Sequence, residues 1–249
     1  MLKVENLKVK VAGKLVVNKV SFELRPKEVL ALMGPNGSGK SSLAYTLAGH
    51  PHYQVVAGKL TLDGRLLNEL SPDEKSQAGL FLAFQYPVAV EGVRYARFLW
   101  EAYQTRFQTE SPRSMPRIDS IVGFQAYLED LAQQLEIDKE LLDRSLNFGF
   151  SGGEKKKLEI LQLLLLEPKY AVLDETDSGL DIDALQVVAR GVKLAIERFN
   201  LGALLITHYQ RILNYLEPDK VFIMKSGKII KEGGKELVDR LEKEGYKEL

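Results

Sequence analysis

Cysteine is absent from the 249-residue chain. Its own side chains therefore cannot build a disulfide, a thiolate metal site or a thiolate-ligated iron–sulfur cluster. Charge of one sign is lacking too. Lys+Arg and Asp+Glu both number 34, so no overall field draws the chain to nucleic acid. Long apolar runs are missing: the densest, Leu158 to Leu166, is broken by Glu159 and Gln162, which argues against a membrane-spanning helix. The opening residues Met1 to Asn6 do not form the apolar core of a signal peptide. No internal repeat or low-complexity tract occurs. These absences predict a cytoplasmic protein with no direct membrane insertion. A hydrophobic fraction of 45% over this length is ample for a core.

What is present centres on Gly34-Pro35-Asn36-Gly37-Ser38-Gly39-Lys40-Ser41. An apolar run, Val29 to Met33, precedes it, and a helical pattern from Ser42 to Ala48 follows. Strand, glycine-rich loop and helix are the context of a phosphate-binding P-loop. The glycines let the backbone turn tightly and aim successive N–H groups into one concavity, which suits an anion. The helix that starts near Lys40 adds its positive dipole end. Lys40 would reach the terminal phosphates of a nucleotide, and the Ser41 hydroxyl would ligate Mg²⁺.

Around this loop the chain alternates between patterns. Residues 1–30 alternate polar and apolar, predicting antiparallel strands ahead of the P-loop strand. Gly58 to Arg65 reads as a hairpin with an Asp63-Gly64 turn. Ser71-Pro72-Asp73-Glu74 fits a capped helix start. Leu80 to Phe84 is a short buried strand ending in Gln85. From 88 to about 148 helical spacing dominates, with Tyr95, Phe98, Leu99, Trp100, Tyr103 and Phe107 forming a stripe expected to be mainly core. Residues 109–120 are a polar, Pro-containing break. Ser151 opens another helix, and Pro168 stops it. Tyr170 to Leu173 and Ala203 to Thr207 are buried strands, Asp183 to Phe199 is a helix, and a strand–Gly–strand unit precedes a charged C-terminal helix. The predicted fold is α/β: a P-loop NTPase core with an antiparallel β subdomain and an inserted helical subdomain. One domain spans 1–249, with 1–87 and 150–249 as catalytic core and β subdomain, and 88–149 as the helical insert.

The ends of the buried strands carry the chemistry. Asp174 closes one, where an open α/β sheet binds its ligands, and can hold Mg²⁺ through a water beside Ser41. Glu175 follows and points elsewhere, placed to orient or deprotonate an attacking water. His208, at the end of the next buried strand, can hydrogen-bond a γ-phosphate. Gln85 can sense both metal and γ-phosphate. Ser151-Gly152-Gly153-Glu154, at a helix N-terminus, is a second anion site.

In this order, Gly34–Ser41, Gln85, Ser151–Glu154, Leu173-Asp174-Glu175, Ser178-Gly179-Leu180-Asp181 and His208 resemble the motifs of the ABC ATPase family. The resemblance covers nearly the whole chain. It implies ATP and Mg²⁺ as ligands, with Ser42 joining the P-loop contacts, and ATP hydrolysis as the activity. It implies a transient, ATP-dependent head-to-tail homodimer, each ATP lying between the P-loop of one subunit and Ser151–Glu154 of the other. A narrower resemblance lies in Phe81–Pro87, Phe150–Lys156, Asp174–Leu185 and Thr207–Leu213. These stretches are similar to those of the soluble ATPases of the SUF iron–sulfur cluster assembly system. That likeness implies SufB- and SufD-like scaffold proteins as partners. The absence of cysteine agrees, since a cluster would be built on the partner.

The chain departs from the family where an aromatic residue often stacks adenine. Val9 to Val16 contains none, so apolar base contacts are expected. Lys155, Lys156 and Lys157 follow the second glycine motif; Lys156 is expected to pair with Glu175 and hold it from water, so that an uncharged replacement raises basal ATPase. A membrane-transporter ATPase subunit would share every hydrolysis motif and differ in what residues 86–107 touch. A nucleic-acid-handling relative is disfavoured by zero net charge and by the lack of room for long coiled-coil arms. A small-molecule kinase has no use for the second glycine motif.

Overall fold

The computed structural model describes residues 1–246. The chain begins with two long strands, β1 (Leu2–Val11) and β2 (Lys14–Leu24), joined at Ala12-Gly13 and paired antiparallel. Their alternating apolar residues, Leu2, Val4, Val9, Val20 and Phe22 among them, are buried, as period-two patterning requires. The P-loop strand β3 (Val29–Met33) leads to helix α1 (Lys40–Ala48). Strand β4 (Gln54–Leu62) returns beside β1 and turns at Asp63-Gly64 into β5 (Arg65–Leu66). The first sheet has the order β2-β1-β4-β5. Ser71 then caps α2 (Pro72–Gln77) in a capping box with Glu74. Strand β6 (Leu80–Ala83) follows. It stops one residue short of expectation: Phe84 has left the sheet and its side chain is 42% exposed.

The insert is helical in its body but opens and closes on strand. Strand β7 (Val90–Arg94) leads into α3 (Tyr95–Arg106), α4 (Ile121–Gln134) and the single turn α5 (Glu140–Asp143), and β8 (Ser145–Leu146) pairs back on β7. Helical spacing concealed this pair, because its ladder joins residues more than fifty positions apart. The aromatic stripe is core: Tyr95, Tyr103 and Phe107 are buried, and Phe124 of α4 packs 4.9 Å from Trp100 and 5.4 Å from Tyr103. The polar break at 109–120 is pinned rather than loose. The Arg113 guanidinium donates to the carbonyls of Glu167 (2.6 Å), Pro168 (2.6 Å) and Phe199 (2.8 Å), capping two helix ends at once.

The remaining elements alternate. They are α6 (Gly152–Leu166), β9 (Tyr170–Asp174), α7 (Ile182–Phe199), β10 (Gly202–Ile206), α8 (Gln210–Leu213), β11 (Lys220–Lys225), β12 (Lys228–Gly233) and α9 (Lys235–Glu244). The second sheet runs β12-β11-β3-β10-β9-β6, parallel except for β12. All residues of β3, β9 and β10 are buried, the mark of strands covered on both faces. Parallel register brings the C-terminal ends of β3, β9, β10 and β6 to one edge of the sheet. Residues 34–41, 174–175, 207–208 and 84–85 all leave from that edge. Among the described residues no helix is long and apolar enough to cross a membrane.

Candidate nucleotide site

The loop after β3 is built around close backbone approaches. A Cβ on Gly34 would fall 2.1 Å from the Met224 carbonyl oxygen, and one on Gly39, at φ +107°, 2.6 Å from that of Val16. Only glycine fits at either place. The turn between β11 and β12 braces the loop from below, Gly227 N donating to Ser38 O at 2.8 Å. Lys40 is buried, its ammonium donating to the carbonyls of Gly34 (2.9 Å) and Pro35 (3.1 Å). Burial lowers its pKa, and the carboxylates of Glu175 and Asp174 oppose that shift. Ser38 Oγ is buried with no hydrogen-bond partner among the described residues. An orphaned hydroxyl and a desolvated cation inside a glycine cradle fit an incoming anion.

Above the loop lies a cleft of about 680 Å³. Asn36, Gly37, Lys40, Ser41, Gln85, Glu175 and His208 all line it, residues that sequence separates by up to 172 positions. Ser41 Oγ donates to Asp174 Oδ1 at 3.3 Å. Burial pushes the Asp174 carboxyl up to about 6; the Ser41 hydrogen bond opposes this, the Glu175 charge adds to it, and the charges of Lys40 and Lys156 lower it. A buried carboxylate and a hydroxyl side by side are hard oxygen donors that suit Mg²⁺. When bound, the ion would polarise phosphate oxygens and neutralise their charge.

The raised Asp174 pKa carries a prediction. Its ordinary value is 3.8, so the fold favours the neutral form, and the stability this group contributes at low pH is lost as pH rises through about 6. The full difference is on the order of 3 kcal/mol, about half of it falling between pH 5 and pH 8. Asp174→Asn keeps an acceptor for Ser41 and never ionises. Without nucleotide, it should exceed the parent chain in stability by roughly 1–2 kcal/mol more at pH 8 than at pH 5. Denaturant melts at the two pH values measure this. An advantage independent of pH would refute it.

Glu175 leaves β9 at φ +50°, with its N–H tied to Ile206 O at 2.8 Å. Both carboxylate oxygens are engaged. Gln85 Nε2 donates to Oε2 at 2.5 Å, and His208 Nε2 lies 2.7 Å from Oε1. The expected Lys156–Glu175 pair does not form. Lys156 turns into the protein beneath the cleft, where Glu159, one helical turn on, takes its charge at 3.1 Å. The basis for a Lys156 brake on hydrolysis is therefore gone.

The stretch expected to offer apolar base contacts, Val9 to Val16, reaches the cleft through Leu15 and Val16 of β2. Tyr86 and Tyr209 also line the cleft and gave little sign of themselves in the sequence. Thr207 Oγ1 donates to the buried Asp177 at 2.7 Å and accepts from Tyr209 N at 2.9 Å, stitching residues 176–178 to the His208 segment. Only the position of Thr207 at a strand end hinted at this.

Ser151, Gly152, Gly153 and Glu154 open α6 as expected. Glu154 N donates to Ser151 Oγ at 3.2 Å, and Ser151 N to the Glu154 carboxylate at 2.6 Å. None of the four lines the P-loop cleft; Ser151, Gly153 and Glu154 border a separate hollow of about 300 Å³ beside Asp181. Within one chain the P-loop and the Ser151–Glu154 turn do not share a cleft.

Comparison with known proteins agrees with this geometry. The ABC transporter family model matches residues 17–178. A Bacillus subtilis (strain 168) protein named Vegetative protein 296 is 49% identical, over 98% of this chain and 91% of its own length. A Cyanophora paradoxa protein named Probable ATP-dependent transporter ycf16 is 46% identical, over 99% of this chain and 93% of its own. Among solved structures, the ATP-binding subunit of an ABC transporter superposes with a TM-score of 0.78 at 24% identity, covering 98% of this chain and 93% of that one. A dimeric ATP-binding cassette in a post-hydrolysis state, bound to ADP and Pi, superposes with a TM-score of 0.75 at 18% identity, covering 94% and 98%.

Proposed function

From the premise that the chain belongs to the ABC ATPase family and binds and hydrolyses ATP with Mg²⁺, we propose that it powers iron–sulfur cluster assembly on a soluble SufB/SufD-like scaffold. The observation that carries the hydrolytic part is the Glu175 carboxylate at the P-loop cleft, held between Gln85 and His208. Lys40, Ser38 and the loop N–H groups hold the phosphates. Ser41 and Asp174, with Gln85 nearby, hold Mg²⁺. Glu175 orients the attacking water and takes its proton, and His208 steadies Glu175 and the γ-phosphate. Leu15 and Val16 offer the base an apolar wall.

Ser151–Glu154 lie outside the cleft of their own subunit, so a second copy turned about a two-fold axis supplies them. ATP then holds the dimer together and hydrolysis releases it. The cluster-assembly part rests on the likeness of residues 81–87, 150–156, 174–185 and 207–213 to the SUF ATPase, SufC. The docking surface follows from exposure. Tyr86 is 79% and Val88 75% exposed, whereas the α3 aromatics are largely spent on the core, so the partner contacts 86–93 rather than the helical stripe.

Affinity purification of the Glu175→Gln chain with Mg·ATP, followed by mass spectrometry, tests this reading. Recovery of soluble, cysteine-containing scaffold proteins, lost on adding Tyr86→Ala and Val88→Asp, is expected. Recovery of an integral membrane protein instead would overturn the assembly role and make the chain a transporter subunit, with the nucleotide site unchanged.

A further inference from the structure

Helix α6 begins at the second anion-binding loop, and one turn further in it carries a buried ion pair. Lys156 and Glu159 are each 4% exposed and lie 3.1 Å apart. A buried pair of this kind adds little net stability, because desolvating both charges offsets their attraction. What distinguishes this one is its third partner. Glu159 Oε1 accepts from the main-chain N–H of Phe84 at 2.8 Å, and Lys156 Nζ donates to the main-chain carbonyl of the same residue. Phe84 lies just beyond the end of β6, where no strand satisfies its backbone. The helix supplies both partners instead.

Gln85 is the next residue, and its side chain reaches Glu175. The peptide bond entering Gln85 is thus gripped by α6, while the far side of Gln85 is bonded to the carboxylate at the cleft. We propose that the Lys156–Glu159 pair is a positioning clamp that fixes Gln85 relative to the Ser151–Glu154 end of α6. A shift of that helix end on meeting a second subunit's nucleotide then moves Gln85 with it. Buried polar groups resist losing their partners, so α6 cannot slide by a hydrogen-bond length without dragging Phe84. Lys156 and Glu159 touch neither substrate nor metal; Glu159 acts through Gln85, and Lys156 does so beside the pull of its charge on Asp174. This inference rests on the reading that Gln85 serves hydrolysis.

A double-mutant cycle on the full chain tests it through steady-state ATP hydrolysis. Glu159→Ala should lower kcat roughly tenfold, with KM for ATP changed by less than about twofold. In a Gln85→Ala background the same substitution should lower kcat by less than about twofold, since the group it positions is gone. Glu159→Gln, which keeps an oxygen for the Phe84 N–H, should retain most of the activity. Should Glu159→Ala lose its cooperative melt, Lys156→Met combined with Glu159→Gln frees the Phe84 carbonyl without stranding a charge, and the cycle is run on that pair. Equal losses in both backgrounds, or a rise in KM at constant kcat, would overturn the clamp and leave Gln85 in its role. A Gln85→Ala chain of full kcat would instead remove the role of Gln85, and the clamp with it.

Discussion

Glu175→Gln should lower the rate of ATP hydrolysis by about 10²–10⁴-fold, the span of a lost general base. ATP should still bind, because the cradle of Gly34–Ser41 is untouched. The substitution is nearly isosteric, and His208 can keep its bond to the remaining carbonyl oxygen. The new amide, however, faces the Gln85 Nε2 that now donates to Oε2. Two donors cannot share that contact, so the Gln85 amide turns over to present its oxygen. The loss is therefore one of chemistry rather than folding. Phosphate release and the melting curve separate the two: the first should collapse and the second stay within about 3 °C of the parent. Size-exclusion chromatography with Mg·ATP should show a dimer that persists where the parent chain's decays. A variant that hydrolyses within about tenfold of the parent would take Glu175 out of the reaction.

Lys40→Met should cost Mg·ATP roughly 10–100-fold in affinity, the worth of charge-assisted hydrogen bonds to phosphate. Its effect without nucleotide is opposite in kind. The ammonium is desolvated and lies on two main-chain carbonyls. Removing it loses those bonds but also the burial of a cation, and the two nearly offset. The nucleotide-free melting temperature should thus move by less than about 3 °C. The parent chain at a hundredfold excess of ATP over Kd gains about 2.7 kcal/mol, which raises its melting temperature by roughly 5–10 °C. In Lys40→Met the gain at the same ATP concentration should fall to about 0.4–1.4 kcal/mol, a rise of roughly 1–5 °C. Thermal melts with and without Mg·ATP measure both effects, and an undiminished rise would contradict the placement of the phosphates.

Much of the site was legible one segment at a time. The P-loop could be read because its geometry is local: glycines, a preceding apolar strand and a following helix lie within twenty residues. Asp174, Glu175 and His208 could be read because each directly follows a buried apolar run, and parallel strands deliver such ends to one edge. The capping boxes at Ser71 and Ser151 were equally plain, since their partners are three residues away. The β7–β8 pair, the Arg113 cap on two helix ends and the Thr207–Asp177 bond were not. Each depends on a partner at least thirty residues distant.

Lys156 marks the boundary between the two. From sequence it is one of three lysines on a helix behind a glycine motif, with Glu175 as an attractive partner. Charge alone cannot choose between carboxylates. The choice was made by the direction in which α6 packs: its buried face turns Lys156 inward to Glu159 and the Phe84 carbonyl. The sequence by itself located the phosphate loop and the strand ends that bear Asp174, Glu175 and His208, because backbone preference and hydrophobic period act over a few residues, and its motifs pointed to the family by resemblance. Only the tertiary structure decided that Gln85 and His208 share Glu175, that Leu15 and Val16 wall the cleft, and that Ser151–Glu154 stand apart from the P-loop of their own chain. Those relations are set by how sheet and helices pack together, a property that belongs to no single segment.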